Sequence, residues 1–415
     1  MTDHGNLTLP LISLASLFLG FIIMASAMST AYGQPLAAFN HEFSKYVEEL
    51  LNEKSIPGAS YVIVKNNDIV AIETFGHTAK NSKQAVTPTT VFRLASVSKP
   101  FAATLTAQLA QEGKVNINAP ITHFVPEFSL KQADAAQQIK VHHVLSHSSG
   151  LLPNTYDNLL HENWSMHKII GRFDRLSPIC QPEKCYGYQN ILYGFLQDVI
   201  EASQPKDYES LLAERVFKPL NMAQASVGQA AFLAEYNRAK PHVLMQRKPI
   251  GPRKSNGKHK MRYTWKQVKV NDDFYKVPAA AGVNASITDM AQWLRANMGY
   301  VPHVLSPELL ARVTTPYIRT KKDLRRRYWR NFVTDAHYGY GWRIYQVNDH
   351  ELVYHGGWVQ GFRADIGYAP KLNIGFAILM NAESNAISEI SANFWQKVFE
   401  QADAYSTNVP INATP

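Results

Sequence analysis

Runs of β-rich sequence occur at both ends of the chain, and a long stretch of helical pattern separates them. Near the N-terminus, residues 59–64 and 69–75 flank Asn66-Asn67-Asp68, which predicts a hairpin. Near the C-terminus, four further runs predict strands: 338–347, 351–354, 362–368 and 374–380. Residues from about 114 to 230 are mostly helical patterns and loops. The simplest fold for this order brings both ends of the chain into one sheet.

This order indicates an α+β protein, with an antiparallel sheet flanked by terminal helices and a mostly helical lobe. One terminal helix is predicted at 34–53, and apolar spacing predicts the other over Ile387, Ile390, Phe394 and Val398. A helix is also predicted at 97–112, whereas residues 238–270 show little periodicity. We expect the site in the cleft between the sheet and the helical lobe.

The composition limits the class of protein. Hydrophobic residues make up 46% of the 415 residues and charged residues 18%, which excludes disorder, collagen and coiled coils. Two cysteines are too few for a disulfide scaffold or a four-cysteine zinc module. The net charge of +9 favours attraction to acidic surfaces and does not indicate a fold.

The N-terminal segment predicts targeting. Residues 7–28 carry no charge and are long enough to span a bilayer as a helix. Small residues follow, and we expect export with cleavage near Gly33-Gln34, although an uncleaved N-terminal anchor stays open. The expected organisation is therefore a signal peptide or anchor at 1–33, one large domain at 34–405 and a tail at 406–415. The expected location is periplasmic or secreted.

The stretch from Phe92 to Pro100 contains Ser96 and, one helical turn later, Lys99. Residues three apart at a helix start share a face, so a nucleophile and a proton acceptor are in contact. The lysine must have a lowered pKa for this chemistry. A serine helix cap beside a solvated lysine is the structural alternative for this motif alone.

Two further motifs follow at long intervals. Tyr188 and Asn190 precede a helical run; the tyrosine is a candidate general base if cations lower its pKa, and the asparagine a candidate for positioning an amide substrate. His355-Gly356-Gly357-Trp358 is expected to end a strand, where the amide of Trp358 completes an oxyanion hole with the amide of Ser96. A core tyrosine and a solvated strand-end histidine are the alternatives.

In this order the three motifs resemble the serine β-lactamase and penicillin-binding protein superfamily. The likeness covers roughly residues 40–400 and is greatest to the class C β-lactamase branch, with its D,D-peptidases, D-aminopeptidases and family VIII esterases. It implies the β-lactamase/transpeptidase-like fold with the active site in the cleft. The implied roles are nucleophile, proton relay, general base and substrate positioning for Ser96, Lys99, Tyr188 and Asn190. His355 and Gly357 take the places of the lysine and glycine in the family's Lys-Thr-Gly triad.

Two departures from that triad affect the substrate. His355 stands where the lysine is usual, and Gly356 where the threonine is usual. A neutral or half-charged histidine binds a substrate carboxylate less firmly than lysine does. We therefore expect acyl-enzyme formation but not efficient β-lactam hydrolysis.

The sequence thus predicts an exported serine hydrolase of β-lactamase, D,D-carboxypeptidase or carboxylesterase type, acting on an ester, a D-amino-acid peptide or a β-lactam. It needs no metal or organic cofactor. The rival interpretation is a catalytically silent protein that binds cell-wall material.

Other signals concern partners and local structure. Residues 247–269 carry nine Lys or Arg and no acid, and residues 319–330 carry seven with one Asp. Both runs are interpreted either as solvated loops or as attraction to anionic lipid or cell-wall polymer. Nucleic acid is not expected as a partner. In an exported chain Cys180 and Cys185 are expected to pair, and the histidines at 143 and 147 are interpreted as core residues rather than as zinc ligands.

Overall fold

The computed structural model describes residues 36–253, 257 and 259–407. The predicted N-terminal targeting segment and most of the predicted tail lie outside these residues. The chain divides into two units, 1–47 and 48–415, and the described strands belong to the second. None of the helices in the described ranges combines the length and the apolar character that a bilayer crossing requires.

The strands lie in three sheets within the described residues. Their bounds are β1 Gly58–Lys65, β2 Asp68–Gly76, β3 Phe92–Arg93, β4 Ser226–Val227, β5 His242–Arg253, β6 His259–Gln267, β7 Val283–Ala285, β8 Ile318–Arg319, β9 Asp335–Tyr338, β10 Arg343–Val347, β11 His350–Val359, β12 Phe362–Ala369 and β13 Ile374–Met380. The largest sheet has eight described strands in the order β2-β1-β13-β12-β11-β10-β9-β8. Strands β3, β7 and β4 form a small sheet, and β5 pairs with β6 alone.

Helices occur near both ends of the described sequence and through most of its middle. The first, α1, covers residues 36–53. The others are α2 Ser98–Gln111, α3 Val141–Leu145, α4 Asp157–His161, α5 Met166–Ile170, α6 Asn190–Gly194, α7 Leu196–Glu201, α8 Tyr208–Leu212, α9 Gln229–Ala234, α10 Pro278–Ala281, α11 Ile287–Asn297, α12 Pro307–Thr314 and α13 Ala386–Thr407.

The pairing of β1 with β13 joins the two ends of the sequence. The strands run antiparallel from Ala59 opposite Met380 to Lys65 opposite Ile374. This confirms the prediction of one sheet built from both ends of the chain. All seven residues of β13 are buried, as expected for a central strand that is covered on both faces.

Helices α11 and α13 cover opposite faces of this sheet. A side chain at Gly375 would point at Leu294 and Met298 of α11. The next residue, Phe376, stacks on Phe394 of α13 with ring centroids 4.2 Å apart. Because successive strand residues point to opposite faces, the two helices lie on the two sides of β13.

Helix α2 forms the centre of the helical lobe. It has no polar face over most of its length, because α7, α10 and α12 pack around it. Its residues from Ser98 to Ala107 are buried. The helix is thus covered on all sides, and the turn that leads into its N-terminal end packs against β11 of the large sheet.

Two predictions of strand structure are wrong. The run 338–347 is interrupted between β9 and β10, because Gly341 adopts a φ of +75° and its backbone passes close to the carbonyl oxygen of Lys99. The stretch 238–270 shows little periodicity, so no strand was predicted there, but it forms the β5–β6 hairpin. That hairpin is exposed on both faces, so it has no buried side to produce an alternating apolar pattern.

Candidate active site

A short turn that carries Ser96 joins β3 to α2. The turn covers Ala95–Val97, and Ala95 has a φ of +53°, a left-handed conformation that costs an alanine on the order of 1 kcal/mol. Ser96 is half-buried and lines a cavity of about 970 Å³. Its amide lies in the first turn of the helical segment, where amides lack intrahelical partners. The neighbouring Ser98 is fully buried, with its Oγ accepting the N–H of Val283 at 2.9 Å.

The Lys99 side chain is buried beneath Ser96. Its Nζ lies 3.4 Å from Ser96 Oγ and donates to Asn190 Oδ1 at 2.7 Å and to the Ala280 carbonyl at 3.1 Å. Burial holds the pKa of Lys99 well below its usual value, although the negative charge of Asp157 opposes the shift. The lowered pKa that the sequence argument required is therefore present.

Asn190, at the start of α6, has both ends of its amide engaged. Its Oδ1 accepts from Lys99, and its Nδ2 donates to Asp157 Oδ2 at 2.7 Å. The other carboxylate oxygen of Asp157, Oδ1, is buried and has no hydrogen-bond partner among the described residues. Burial raises the pKa of Asp157, and the bond from Asn190 counteracts the rise. Asp157 borders the cavity, yet nothing in the sequence pattern singled it out.

Tyr188 lies over the same lysine. Lys99 Nζ is 4.6 Å from its ring centroid and the Arg343 guanidinium 5.6 Å. Arg343 and Ser96, which faces the Tyr188 hydroxyl, both act to lower the pKa of Tyr188. Burial nevertheless raises the pKa of Tyr188 above its usual value, and the effect of Arg343 is too small to reverse this. The condition set for Tyr188 as a general base, a pKa lowered by cations, is not met because desolvation outweighs them, and the shift favours a neutral phenol.

Both glycines of the 355–358 motif are required by close packing. A Cβ at Gly357 would collide with the carbonyl oxygen of Leu94, just before the Ser96 turn. A Cβ at Gly356 would lie 2.8 Å from Asp365 Oδ1 and from the Tyr354 hydroxyl. These contacts give a physical reason for glycine where related sequences have threonine.

The backbone of Trp358 has the orientation that the expected oxyanion hole requires. Val359 and Phe362 flank a two-residue turn, so they form a hydrogen-bonded pair of the β11–β12 ladder. Hydrogen-bonded and non-bonded pairs alternate in antiparallel ladders. The pair of Trp358 with Arg363 is therefore non-bonded, and the Trp358 amide points away from β12. Strand β11 packs against the Ser96 turn, which brings the Trp358 amide into the neighbourhood of Ser96.

His355 lies inside β11 rather than at its end, and it is fully buried. Its Nε2 accepts from the Tyr338 hydroxyl at 2.9 Å, and its Nδ1 donates to the Gly356 carbonyl at 3.0 Å. Burial holds the pKa of His355 well below its usual value, with a further contribution from Arg343 and a smaller one from Lys99. The described lining of the cavity does not include this ring. Of the neutral and half-charged forms expected here, the buried ring favours the neutral one, and the alternative of a solvated histidine fails because the ring is desolvated and bonded at both nitrogens.

Cations instead reach the cavity from the second basic run and from β10. Arg343 Nη1 pairs with Asp323 at 2.5 Å and donates to the Tyr186 hydroxyl at 3.3 Å. Arg326 donates to the hydroxyls of Tyr345 and Tyr354. The cations that line the cavity are Lys184, Arg319, Lys321, Lys322, Arg326, Arg343 and Arg363, and the acids are Asp157, Asp323, Asp365 and Glu383.

The run 319–330 is therefore not merely a solvated loop. Four of its cations border the cavity, and its single acid, Asp323, is buried against Arg343. An isolated acid in a basic run was the one signal in the sequence for this arrangement. That isolated acid was not used as a signal, and neither Arg343 nor Arg326 was predicted as a site residue.

A loop closed by a disulfide lies just before Tyr188 in the sequence. Cys180 and Cys185 are joined, in agreement with the predicted pairing, and Cys185 borders the cavity. The loop is tied to a preceding segment by bonds from the Glu183 amide to Ser148 and from the Gly187 amide to His147.

The two histidines considered as zinc ligands have different hydrogen-bond partners. The ring of His147 is buried, packs against Tyr188 at 4.2 Å between centroids and accepts the amide of Gln189. The Nε2 of His143 pairs with Glu183, while its Nδ1 accepts the amide of Lys140. The core interpretation fits both residues.

Comparison with known proteins agrees with this geometry. The Beta-lactamase family model matches residues 43–396. Protein flp of Staphylococcus aureus is 24% identical over 350 residues, and the unguisins hydrolase ungD' of Aspergillus campestris is 25% identical over 380. These matches cover 83% and 85% of this chain but only 63% and 62% of the relatives' length.

A solved structure shares the fold. The octameric penicillin-binding protein homologue from Pyrococcus abyssi superposes with a TM-score of 0.71 at 23% identity, covering 87% of this chain and 77% of that one. The match of the family model over most of the sequence shows that the chain belongs to the Beta-lactamase family.

Proposed function

We propose that this chain is an exported serine hydrolase in which Ser96 forms an acyl-enzyme with a substrate that carries a carboxylate near the scissile bond. The contact of a buried Lys99 with Ser96 is the observation that carries the proposal. A buried lysine without an anionic partner in contact is costly to a fold, and nucleophile activation gives it a use. The unguisins hydrolase among the relatives is consistent with a hydrolytic function.

The hydrogen bonds of Lys99 orient its lone pair. A neutral amine has two N–H groups, and the Lys99 amine uses them on Asn190 Oδ1 and the Ala280 carbonyl. Its remaining tetrahedral direction is the lone pair, which is directed at Ser96 Oγ. Lys99 therefore takes the proton of Ser96 as the oxygen attacks the carbonyl carbon.

The other groups complete the cycle. The oxyanion is held by the amides of Ser96 and Trp358. Because Tyr188 is a neutral phenol, its O–H protonates the leaving group and the proton on Lys99 replaces it. The bond from the carbonyl carbon to the leaving group then breaks and leaves the ester on Ser96. Water cleaves that ester, passing its proton along the same two residues and returning the hydrogen to Ser96 Oγ.

The cationic wall favours an anionic substrate over a neutral ester. Arg343 stands beside Tyr188 and borders the cavity, and although Nη1 of its guanidinium fork is bonded to Asp323 and Tyr186, its Nη2 remains to donate to a substrate carboxylate next to the reacting carbonyl. His355 is neutral and cannot perform this role. We therefore favour a peptide with a free terminal carboxylate, such as one ending in D-Ala-D-Ala, or a β-lactam.

The test compares two substrates that differ only in charge. A peptide ending in D-Ala-D-Ala with a free carboxylate should have a kcat/KM about 10- to 100-fold above that of its C-terminal amide, since a charge-assisted hydrogen bond is worth about 1.5–3 kcal/mol. Arg343→Lys keeps the ion pair with Asp323 but loses the fork, and should reduce this ratio several-fold. Arg319→Lys at the rim is the matched control. Equal rates on both peptides would contradict carboxylate recognition.

Asp157 is expected to position Asn190 and tune Lys99. Asp157→Ala removes the acceptor that fixes the Asn190 amide and should lower kcat about 10- to 100-fold with little change in KM. Asp157→Asn keeps an acceptor but removes the charge that raises the pKa of Lys99. The acidic limb of its pH–rate profile should therefore move to lower pH. Unchanged profiles in both variants would show that Asp157 acts on neither group.

A catalytically silent binding protein is the competing function. It would keep the cavity but has no use for a desolvated lysine in contact with a serine. Export is supported by the apolar segment 7–28 and by the joined cysteines, since disulfides persist in oxidising compartments.

A further inference from the structure

Among the described residues, the hairpin of β5 and β6 is attached to the rest of the protein only at its root. His242 binds the Lys80 amide and the Asn381 carbonyl, and Trp265 Nε1 donates to the Lys54 carbonyl at 2.9 Å. Beyond this root, the described side-chain bonds stay within the hairpin, as between Arg253 and His259. An isolated two-stranded ladder is marginally stable in water, so an extension of this length is expected to have a partner.

The strand register sorts the side chains of the hairpin onto two faces. Residues opposite one another share a face, and neighbours along a strand alternate. One face carries Leu244 with Trp265, Arg247 with Tyr263, and Pro249 with Met261. The other face carries Gln246 with Thr264, Lys248 with Arg262, and Ile250 with Lys260.

The second face holds an uncompensated cluster of cations. Lys248 lies directly opposite Arg262, with Lys260 on the same face one pair further out. Like charges directly opposite one another destabilise a strand pair. The sequence contains no acid between residues 247 and 269, so the hairpin cannot neutralise this charge itself. An external anionic surface would remove the repulsion.

The first face identifies the kind of surface. It is apolar and aromatic, with Leu244 42% exposed, and Met245 protrudes from a bulge next to it with 58% of its surface exposed. Arg247 lies over the ring of Tyr263 at 5.7 Å. An apolar and aromatic face on one side, with a row of cations on the other side, is the composition of elements that lie in the plane of the interface of an anionic bilayer, where long cationic side chains reach the headgroups. A nucleic acid backbone would use the cations but not the exposed aliphatic groups.

We propose that the β5–β6 hairpin docks on an anionic lipid bilayer, with Leu244 and Met245 entering the interface and Lys248, Lys260 and Arg262 binding phosphate headgroups. Its root also bonds to the turn beside the active-site cavity, where the His242 amide donates to the Gly361 carbonyl. The proposal does not depend on the proposed catalytic function.

The experiment uses the full chain and a reporter on the hairpin, because residues 7–28 would bind any bilayer on their own. Both native cysteines are joined, so an added cysteine is labelled selectively. An environment-sensitive fluorophore is attached at Met245→Cys and, as a control, at the exposed Gln137→Cys in the helical lobe. Phosphatidylglycerol vesicles should shift the emission at 245 to the blue, whereas phosphatidylcholine vesicles should not.

The charge dependence is tested with matched double variants. Lys248→Gln with Arg262→Gln should lower the equilibrium constant for docking of the hairpin on phosphatidylglycerol vesicles, given by the blue-shifted fraction at 245, about 30-fold, since each cation contributes about 1 kcal/mol near such a surface. Lys114→Gln with Lys218→Gln removes two exposed cations elsewhere and should change nothing. Hydrolytic turnover should be unaltered in both, which confirms folding. An equal response at 137, the same response to neutral lipid, or a full response to heparin or DNA without lipid would overturn the proposal.

Discussion

Ser96→Ala should abolish covalent labelling by fluorophosphonate or penicillin probes and lower hydrolysis by at least about 10⁴-fold. The reason is that Ser96 presents the hydroxyl that both contacts Lys99 and borders the cavity. The substitution removes one oxygen from a half-buried turn and should cost only about 1 kcal/mol of stability. Intact-mass spectrometry of the labelled protein and thermal unfolding are the two measurements.

Ser98→Ala is the matched control for this prediction. Ser98 is two residues away, but its Oγ is buried and accepts the Val283 amide. Its loss leaves that amide unsatisfied and should cost about 1–3 kcal/mol, while labelling at Ser96 continues. Ser96→Ala should thus lose activity with little loss of stability, whereas Ser98→Ala should lose stability while labelling continues. Wild-type labelling in Ser96→Ala would move the nucleophile elsewhere and remove the basis of the proposed function.

The parts of the site that sequence could predict are those whose geometry is local. Ser96 and Lys99 lie within one turn of a helical segment, so their spacing alone places them in contact. The antiparallel sheet followed from strand runs at both ends of the chain. Strand patterns in the buried part of that sheet were clear because both faces are covered, so the strands appear in the sequence as nearly continuous apolar runs.

The parts that escaped prediction depend on partners distant in the sequence. Asp157 acts through Asn190, which is 33 residues away, and Arg343 is held by Asp323, which is 20 residues away. Neither pair produces a periodic signal. The charge state of His355 could not be predicted because its burial comes partly from Tyr338 on β9, which the sequence pattern had merged with β10.

The raised pKa of Tyr188 has a more general physical cause. The sequence shows which cations are near in the chain but not how much water a group loses. Desolvation is the largest influence on the pKa values of Lys99, Tyr188 and His355 alike. It favours the neutral form of each group. The direction of these shifts favours a neutral amine beside a neutral phenol, which is the starting state that the proposed proton transfer from Ser96 to Lys99 requires.

Lys99→Met should reduce hydrolysis by roughly 10²- to 10⁴-fold, the range for loss of a general base, and should change how stability depends on pH. Methionine has a similar length and no proton acceptor, so the buried volume is kept. Lys114→Met, at an exposed site just after the end of α2, is the control and should leave activity and stability near the wild-type values.

The effect on stability follows from the direction of the pKa shift. Folding lowers the pKa of Lys99, so the unfolded chain binds more protons than the folded chain at every pH between the folded pKa and the ordinary value of about 10.4. Stability contributed by this group therefore rises with pH across that window, by up to about 1.4 kcal/mol per pH unit. Lys99→Met removes this dependence. Urea unfolding at pH 7, 8 and 9 should show the advantage of Lys99→Met over the wild type shrinking as pH rises, with the lost bonds to Asn190 and Ala280 offsetting it by a constant amount. A difference in unfolding free energy that stays flat with pH would mean that Lys99 is charged in the folded protein, and that it cannot accept the proton of Ser96.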